Sequence, residues 1–176
     1  MVYNKITISG KICTGKSTLV KNLRDKLSWK VISIGQYFRD YAKTQRLALD
    51  KAEEQNEKLT KKIDYQVRDR MENEANLIVD GWMAGLMAKK IPDVLRILLT
   101  CKDDIRYKRF AKRESLTFAE ARTRIDERQG SWFAKIKKIY RFDPSKLTDP
   151  KNYDLTIDTS YVTPQAILRK VLKTVS

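Results

Sequence analysis

The chain has 176 residues, a formal charge of +15 and no histidine. That length suits one domain, expected to span 1–176, with a core of its own. No apolar run reaches membrane-span length, and a glycine loop interrupts any signal-peptide core near the start. A cytoplasmic protein with no membrane association is therefore expected, and a monomer. With no histidine, and with Cys13 and Cys101 far apart, a zinc site and a Cys/His or Ser/His nucleophile are excluded. Any metal must be held by oxygen and phosphate ligands, which suits Mg²⁺.

The first element is a strand at Lys5-Ile6-Thr7-Ile8-Ser9, alternating and β-branched. It runs into Gly10-Lys11-Ile12-Cys13-Thr14-Gly15-Lys16-Ser17, which fits G-x-x-x-x-G-K-[ST] without a gap. Thr18 follows, and Leu19, Leu23 and Leu27 stand at helical spacing from Lys16 onward. Strand, glycine loop and helix are the context in which such a loop binds phosphate. Gly10 and Gly15 lack a Cβ, so phosphate oxygens can reach the backbone amides, and the helix N-terminus adds positive potential. Lys16 then serves the β- and γ-phosphates, and the Ser17 hydroxyl is a ligand for Mg²⁺. Cys13 occupies a place where many such loops carry glycine.

Further along, Lys30-Val31-Ile32-Ser33-Ile34 reads as the second strand, and Gly35 opens a helix through Ala42. The polar stretch from Asp50 to Asn76 carries Leu59, Ile63 and Val67 at four-residue spacing, which predicts one or two amphipathic helices. Leu77-Ile78-Val79-Asp80 is a buried strand ending in an acid, and Val94 to Leu99 is the fourth strand. Asp103 to Tyr140 is helical and basic, broken at Ser115-Leu116-Thr117, where Thr117 and Glu120 form a capping box. Tyr153 to Asp158 is the last strand. Thr163-Pro164 opens the last helix, with Ile167, Leu168, Val171 and Leu172 on its inner face.

Strands alternating with helices predict a parallel sheet covered on both faces, with ligands at the carboxyl ends of the strands. The loop at Gly10, the acid at Asp80 and the turn after Asp158 all fall on that edge. An acid so placed beside a phosphate loop holds Mg²⁺, directly or through water; otherwise it is a cap. Arg109, Arg113, Arg124 and Arg128 flank the helix break. They form either a lid that closes on the phosphates or a solvated basic surface paired with Glu114, Glu120 and Glu127. Arg39 and Arg70 flank the insert between the second and third strands; each either grips an acceptor phosphate or is a surface arginine.

Taken together, these residues resemble the nucleoside monophosphate kinases, above all the compact archaeal-type cytidylate kinases. The resemblance covers almost the whole chain. It rests on Ile6 to Gly10 with the loop, Ile32 to Arg39, Val79-Asp80-Gly81 with Ala84-Gly85, Arg109 to Arg113 with Glu114, Glu127-Arg128, Tyr140 with Asp143, and Asp154 with Ile157 to Ser160. It implies a three-layer α/β fold with strand order 2-3-1-4-5. It implies ATP-dependent, Mg²⁺-assisted transfer of the γ-phosphoryl group to CMP or dCMP, with an acceptor-side insert at about 36–75 and a lid at about 110–135. Arg39 and Arg70 match acceptor arginines, and Arg124 and Arg128 match lid arginines. Arg109 and Arg113 fall with the ATP site, and the Asp158 to Ser160 turn, including Ser160, matches the adenine-side loop.

The chain departs from the family where the acceptor is read. Trp82 follows Asp80-Gly81 in place of an arginine, and Trp132 and Lys135 replace an acid and an arginine after Arg128. Indole stacks on a base but cannot grip phosphate bidentately, which predicts an altered or broadened acceptor. Two other readings stay open: a phosphate-loop nucleotide-binding protein acting on or with RNA, and a small-molecule kinase with a changed acceptor. Nucleic acid suits the charge of +15 but is not favoured, because Lys and Arg are spread along the chain.

Overall fold

A computed structural model describes residues 3–46 and 57–175. The start of the polar insert, 50–56, falls outside them. One sheet of five parallel strands has the order β2-β3-β1-β4-β5. The strands are β1 (Lys5–Ser9), β2 (Lys30–Ser33), β3 (Leu77–Asp80), β4 (Val94–Thr100) and β5 (Leu155–Asp158). The helices are α1 (Lys16–Leu27), α2 (Ile34–Thr44), α3 (Glu57–Asn73), the single turn α4 (Ala84–Met87), α5 (Asp103–Glu114), α6 (Phe118–Tyr140) and α7 (Pro164–Val175). This is the expected three-layer α/β fold and strand order. Among the described residues no helix is long and apolar enough to cross a membrane.

The two faces of the sheet bury different residues of the same strands, as parallel strands covered on both sides must. Ile6, Ile8, Ile97 and Leu99 meet Leu19 and Leu23 of α1 and Ile167 and Val171 of α7. Leu77 and Val79 meet Phe38 of α2, Ile63, Val67 and Met71 of α3, and Ala84 of α4. Each fully buried Leu or Ile is worth about 2 kcal/mol of transfer free energy. Away from the sheet, Phe110 of α5 and Ala121 and Ile125 of α6 pack on Ile12 of the glycine loop. That third cluster seats the α5–α6 pair over the phosphate loop.

Some boundaries differ from the sequence reading, for local reasons. Helix α2 begins at Ile34 because the Ser33 hydroxyl accepts the Gln36 amide at 3.2 Å and caps it. Strand β5 starts only at Leu155, since the Tyr153 hydroxyl donates to the Leu147 carbonyl at 2.7 Å and Asp154 accepts from Arg96 at 2.6 and 3.0 Å. The break between α5 and α6 is the predicted one. Ser115 turns left-handed at φ 55°, and Thr117 and Glu120 complete a capping box.

Strand register sets the site. Ile8 pairs with Asp80 on one side and Ile97 on the other, and Ser33 pairs with Asp80. The carboxyl ends of β1, β2 and β3 therefore finish level, below the loop.

Candidate active site

Gly10 to Ser17 link the end of β1 to the start of α1. Gly10 has φ 149°, and a Cβ there would collide with the Leu99 carbonyl oxygen and stand 2.8 Å from Thr14 Oγ1. Gly15 caps α1 at φ 95° with no side-chain cap, so the first amides of α1, at Lys16, Ser17 and Thr18, keep their N–H groups for an anion. Thr14 is buried and donates to the Lys11 carbonyl at 3.0 Å, which closes the loop. Cys13 takes φ 61° without being glycine, at a cost of about 1–2 kcal/mol. That is the physical reason glycine suits the position.

Lys16 Nζ folds back on the loop, donating to the carbonyls of Gly10 at 2.7 Å and Lys11 at 2.9 Å. Burial brings its pKa down to about 8; Asp80 and Cys13 oppose that shift, and Arg128 and Arg106 add to it.

Asp80 ends β3 almost fully buried. Burial pushes its carboxyl up, while a hydrogen bond from Ser33 and the charges of Lys16 and Arg39 pull it down. Arg39 is held on α2 by Gln36 at 3.0 Å. Gly81 lets Ile34 approach, since a Cβ there would stand 2.7 Å from the Ile34 Cδ1. An oxygen donor on β3 and the exposed Ser17 hydroxyl on α1 fit a hard divalent cation that takes its remaining ligands from phosphate and water.

On the other side of the loop lies a cavity of about 200 Å³ lined by Gly15, Thr18, Arg109, Thr159, Val162 and Pro164, among others. Arg109 spans it. Its guanidinium donates to the Thr159 carbonyl at 2.6 Å, to Thr159 Oγ1 at 3.2 Å and to the Cys13 carbonyl at 3.4 Å. Thr159 Oγ1 lies 2.9 Å from the Thr14 carbonyl, so the turn after β5 is tied to the loop. Ser160 does not line the cavity. Its hydroxyl is 2.6 Å from Asp158 and accepts the Lys102 amide at 2.9 Å, so it shapes the turn instead.

The other expected residues separate. Arg128, on α6, is near enough for its charge to act on Lys16, whereas Arg124 is exposed one turn earlier, where its charge acts on Glu120. Arg113 pairs with Glu114 at 2.7 Å and lies over Phe110. Trp82 and Trp132 stack with centroids 4.7 Å apart, and Lys16 Nζ is 5.9 Å from the Trp82 ring. Lys135 Nζ stands 5.7 Å from the Phe38 ring and bears electrostatically on Asp64 of α3. Arg70 is not brought to the site. It lies in the last turn of α3, bonded to Glu74 at 2.5 and 3.0 Å, and Glu74 also pairs with Lys30 at the start of β2. That is the amino edge of the sheet, opposite the loop.

Two groups escaped the sequence reading as site residues. Arg106 is 1% exposed and donates to the Ile12 carbonyl at 3.0 Å and to Asp103 at 2.6 and 3.0 Å. It braces the loop from behind, and Asp103 also pairs with Lys11 at 3.6 Å. In the sequence it was one of many arginines on α5; only its spacing to Asp103, three residues back, hinted at a partner. Thr159 lies in the Asp158 to Ser160 turn already expected at the site, but Val162 and Pro164, which also line the cavity, lie beyond it and carried no local signal.

Comparisons with known proteins bear on the family and the fold. The model of the cytidylate kinase-like family matches residues 5–161. The cytidylate kinase of Haloarcula marismortui is 34% identical over 173 residues, covering 97% of this chain and 88% of that protein. The cytidylate kinase of Sulfurisphaera tokodaii is 35% identical over 165 residues, covering 92% and 89%. Among solved structures, a gluconokinase from Sinorhizobium meliloti has a TM-score of 0.63 at 11% identity, covering 99% of this chain and 93% of that one. A shikimate kinase from Acinetobacter baumannii has a TM-score of 0.61 at 11% identity, covering 98% and 93%. These two show the shared kinase fold alone. With a family match over most of its length and a glycine loop built for phosphate, the chain belongs to the cytidylate kinase-like family and is a phosphotransferase.

Proposed function

We propose that the protein is an ATP-dependent nucleoside monophosphate kinase that passes the γ-phosphoryl group to CMP, dCMP or a related nucleotide. One observation carries this reading. The unclaimed amides of the loop and Lys16 lie between a cavity of nucleoside-base size and the acid at Asp80. The family's curated relatives, named cytidylate kinases, support a cytidine acceptor.

In this reading ATP lies with its base in the cavity beside Arg109 and Thr159 and its phosphates along Gly10 to Thr18. Lys16 leaves its two carbonyls for the γ-phosphate and follows it through transfer. Ser17 and Asp80 would hold Mg²⁺, which would neutralise charge on the β- and γ-oxygens. Arg128 adds its charge from the lid side. The acceptor enters between α2 and α6, where Arg39 and Lys135 stand. Its phosphate is already an oxyanion, so no general base is needed, and positioning with charge stabilisation carries the rate. In the same reading the chain is a single domain with an acceptor-side insert at about 36–75 and a lid at about 110–135.

Screening CMP, dCMP, UMP, AMP, GMP and dTMP with ATP and Mg²⁺ tests the reading. Nucleoside diphosphate formed from a pyrimidine monophosphate is the expected result. No product from any of them would overturn it, and efficient use of CMP alone would refute a broadened acceptor.

A further inference from the structure

Stacking on an acceptor base, the role read for Trp82 and Trp132 from the sequence, leaves unexplained why the two indoles stack on each other beside Lys16. Trp82 sits two residues past Asp80, rooted on Ile12 of the loop and on the α5–α6 cluster. Trp132 of α6 stacks on it at 4.7 Å and 31°. Phe133 meets Trp82 edge-on, with centroids 5.5 Å apart, and lies 5.9 Å from Trp132. The three rings come from two separate elements and meet at Trp82, whose ring lies 5.9 Å from the ammonium that would follow the moving phosphoryl group.

Indole offers one N–H donor and neither acid nor base chemistry near neutrality. It cannot replace a guanidinium on phosphate. A pair of stacked indoles does cover a large area with apolar surface, and the covered place decides whether water reaches the γ-phosphorus. In the unproductive reaction a water oxygen bonds to that phosphorus. The bond to the β,γ-bridging oxygen breaks with its electron pair left on ADP; one water proton stays on the phosphate formed and the other passes to solvent. A site that excludes water suppresses that route.

We propose that the Trp82–Trp132 stack is a water shutter: it holds down ATP hydrolysis in the absence of acceptor, and the acceptor displaces Trp132 to reach the phosphoryl group. The inference rests on the kinase reading above. Its second half follows from the stack itself. Trp82 stands 5.9 Å from Lys16 Nζ with Trp132 stacked on it, and Trp132 lies on α6, within the segment read as the lid, so it is the ring a moving lid would carry.

The test is a partition ratio. Release of ADP from ATP and Mg²⁺ without acceptor is compared with transfer to the best acceptor, in the wild type, Trp132→Ala and Trp132→Phe. The shutter predicts that Trp132→Ala raises the acceptor-free release of ADP itself, and with it the ratio of hydrolysis to transfer, at least about tenfold, and that Trp132→Phe brings both back towards wild type; a rise in the ratio from slower transfer alone overturns the shutter. A merely structural role would lower both rates together and leave the ratio in place. Trp132→Gln is read the same way should the alanine variant fold poorly, and rates are normalised to the fraction that binds ATP. An unchanged ratio in a variant that still transfers overturns the shutter. A wild type that transfers to no acceptor overturns the kinase reading instead, so the two failures are distinct.

Discussion

Arg106 gives a quantitative test of how the phosphate loop is held. The side chain is 1% exposed and makes a charge-assisted bond to the Ile12 carbonyl at 3.0 Å and two to Asp103. Arg106→Met keeps most of the volume and removes every one of those bonds. The Ile12 bond is worth about 1.5–3 kcal/mol, because its loss leaves a buried carbonyl unpaired. The Asp103 side adds little, about 0.5 kcal/mol, since that carboxylate is half exposed and returns to water. A total near 3 kcal/mol corresponds to a fall in Tm of roughly 6–12 °C for a chain of this size. The freed loop should also bind ATP more weakly, raising its KM by about tenfold, or about 1.4 kcal/mol. Thermal unfolding followed by circular dichroism and initial rates at varied ATP check both. Arg106→Lys keeps the charge but serves one partner at a time and should fall between the two. An Arg106→Met variant that melts within about 2 °C of wild type with an unchanged KM for ATP would refute the brace.

Lys16→Ala should leave the circular dichroism spectrum intact and cut turnover by about a thousandfold or more; turnover near wild type would mean that phosphoryl transfer happens elsewhere. Gly10→Ala should prevent ATP binding, since the new methyl would have to displace the Leu99 backbone carbonyl; isothermal calorimetry reads this directly. Arg70→Ala should leave the KM of the acceptor unchanged, because Arg70 lies on the far edge of the sheet. It should alter acid unfolding instead. Hydrogen bonding to Arg70 holds Glu74 down at about 2, from 4.5. The unfolded chain therefore takes up that proton first, so the pair's contribution is present above pH 4.5 and is lost as pH falls towards 2. In the variant, acid titration by circular dichroism should show that loss removed, and an unchanged acid limb would count against the pair. Tyr140→Phe takes away the hydroxyl that donates to Asp64 at 2.5 Å, in the seam between α3 and α6. A loss of about 1–3 kcal/mol in urea unfolding is expected from the carboxylate left without that donor.

The fold and the phosphate loop were legible because their determinants are local in sequence. The glycine loop needs left-handed and mirror-region backbone at fixed positions, and glycine marks Gly10 and Gly15 plainly. The continuous apolar run Leu77-Ile78-Val79 ending in an acid read as a buried strand that delivers Asp80 to one edge, and the Thr117–Glu120 box named its own helix start. What the chain itself did not disclose is which of its many cations face the site. Arg70 and Arg106 look alike in sequence, yet one is bonded to Glu74 on the far edge and the other is buried behind the loop. Nor could spacing tell that Trp82 and Trp132, on separate elements, would stack beside Lys16. Local backbone chemistry decides where strands, turns and caps form, so sequence alone determined those. Which long side chains meet depends on how β3, α5 and α6 pack across tens of residues, and only the folded chain brings those surfaces together.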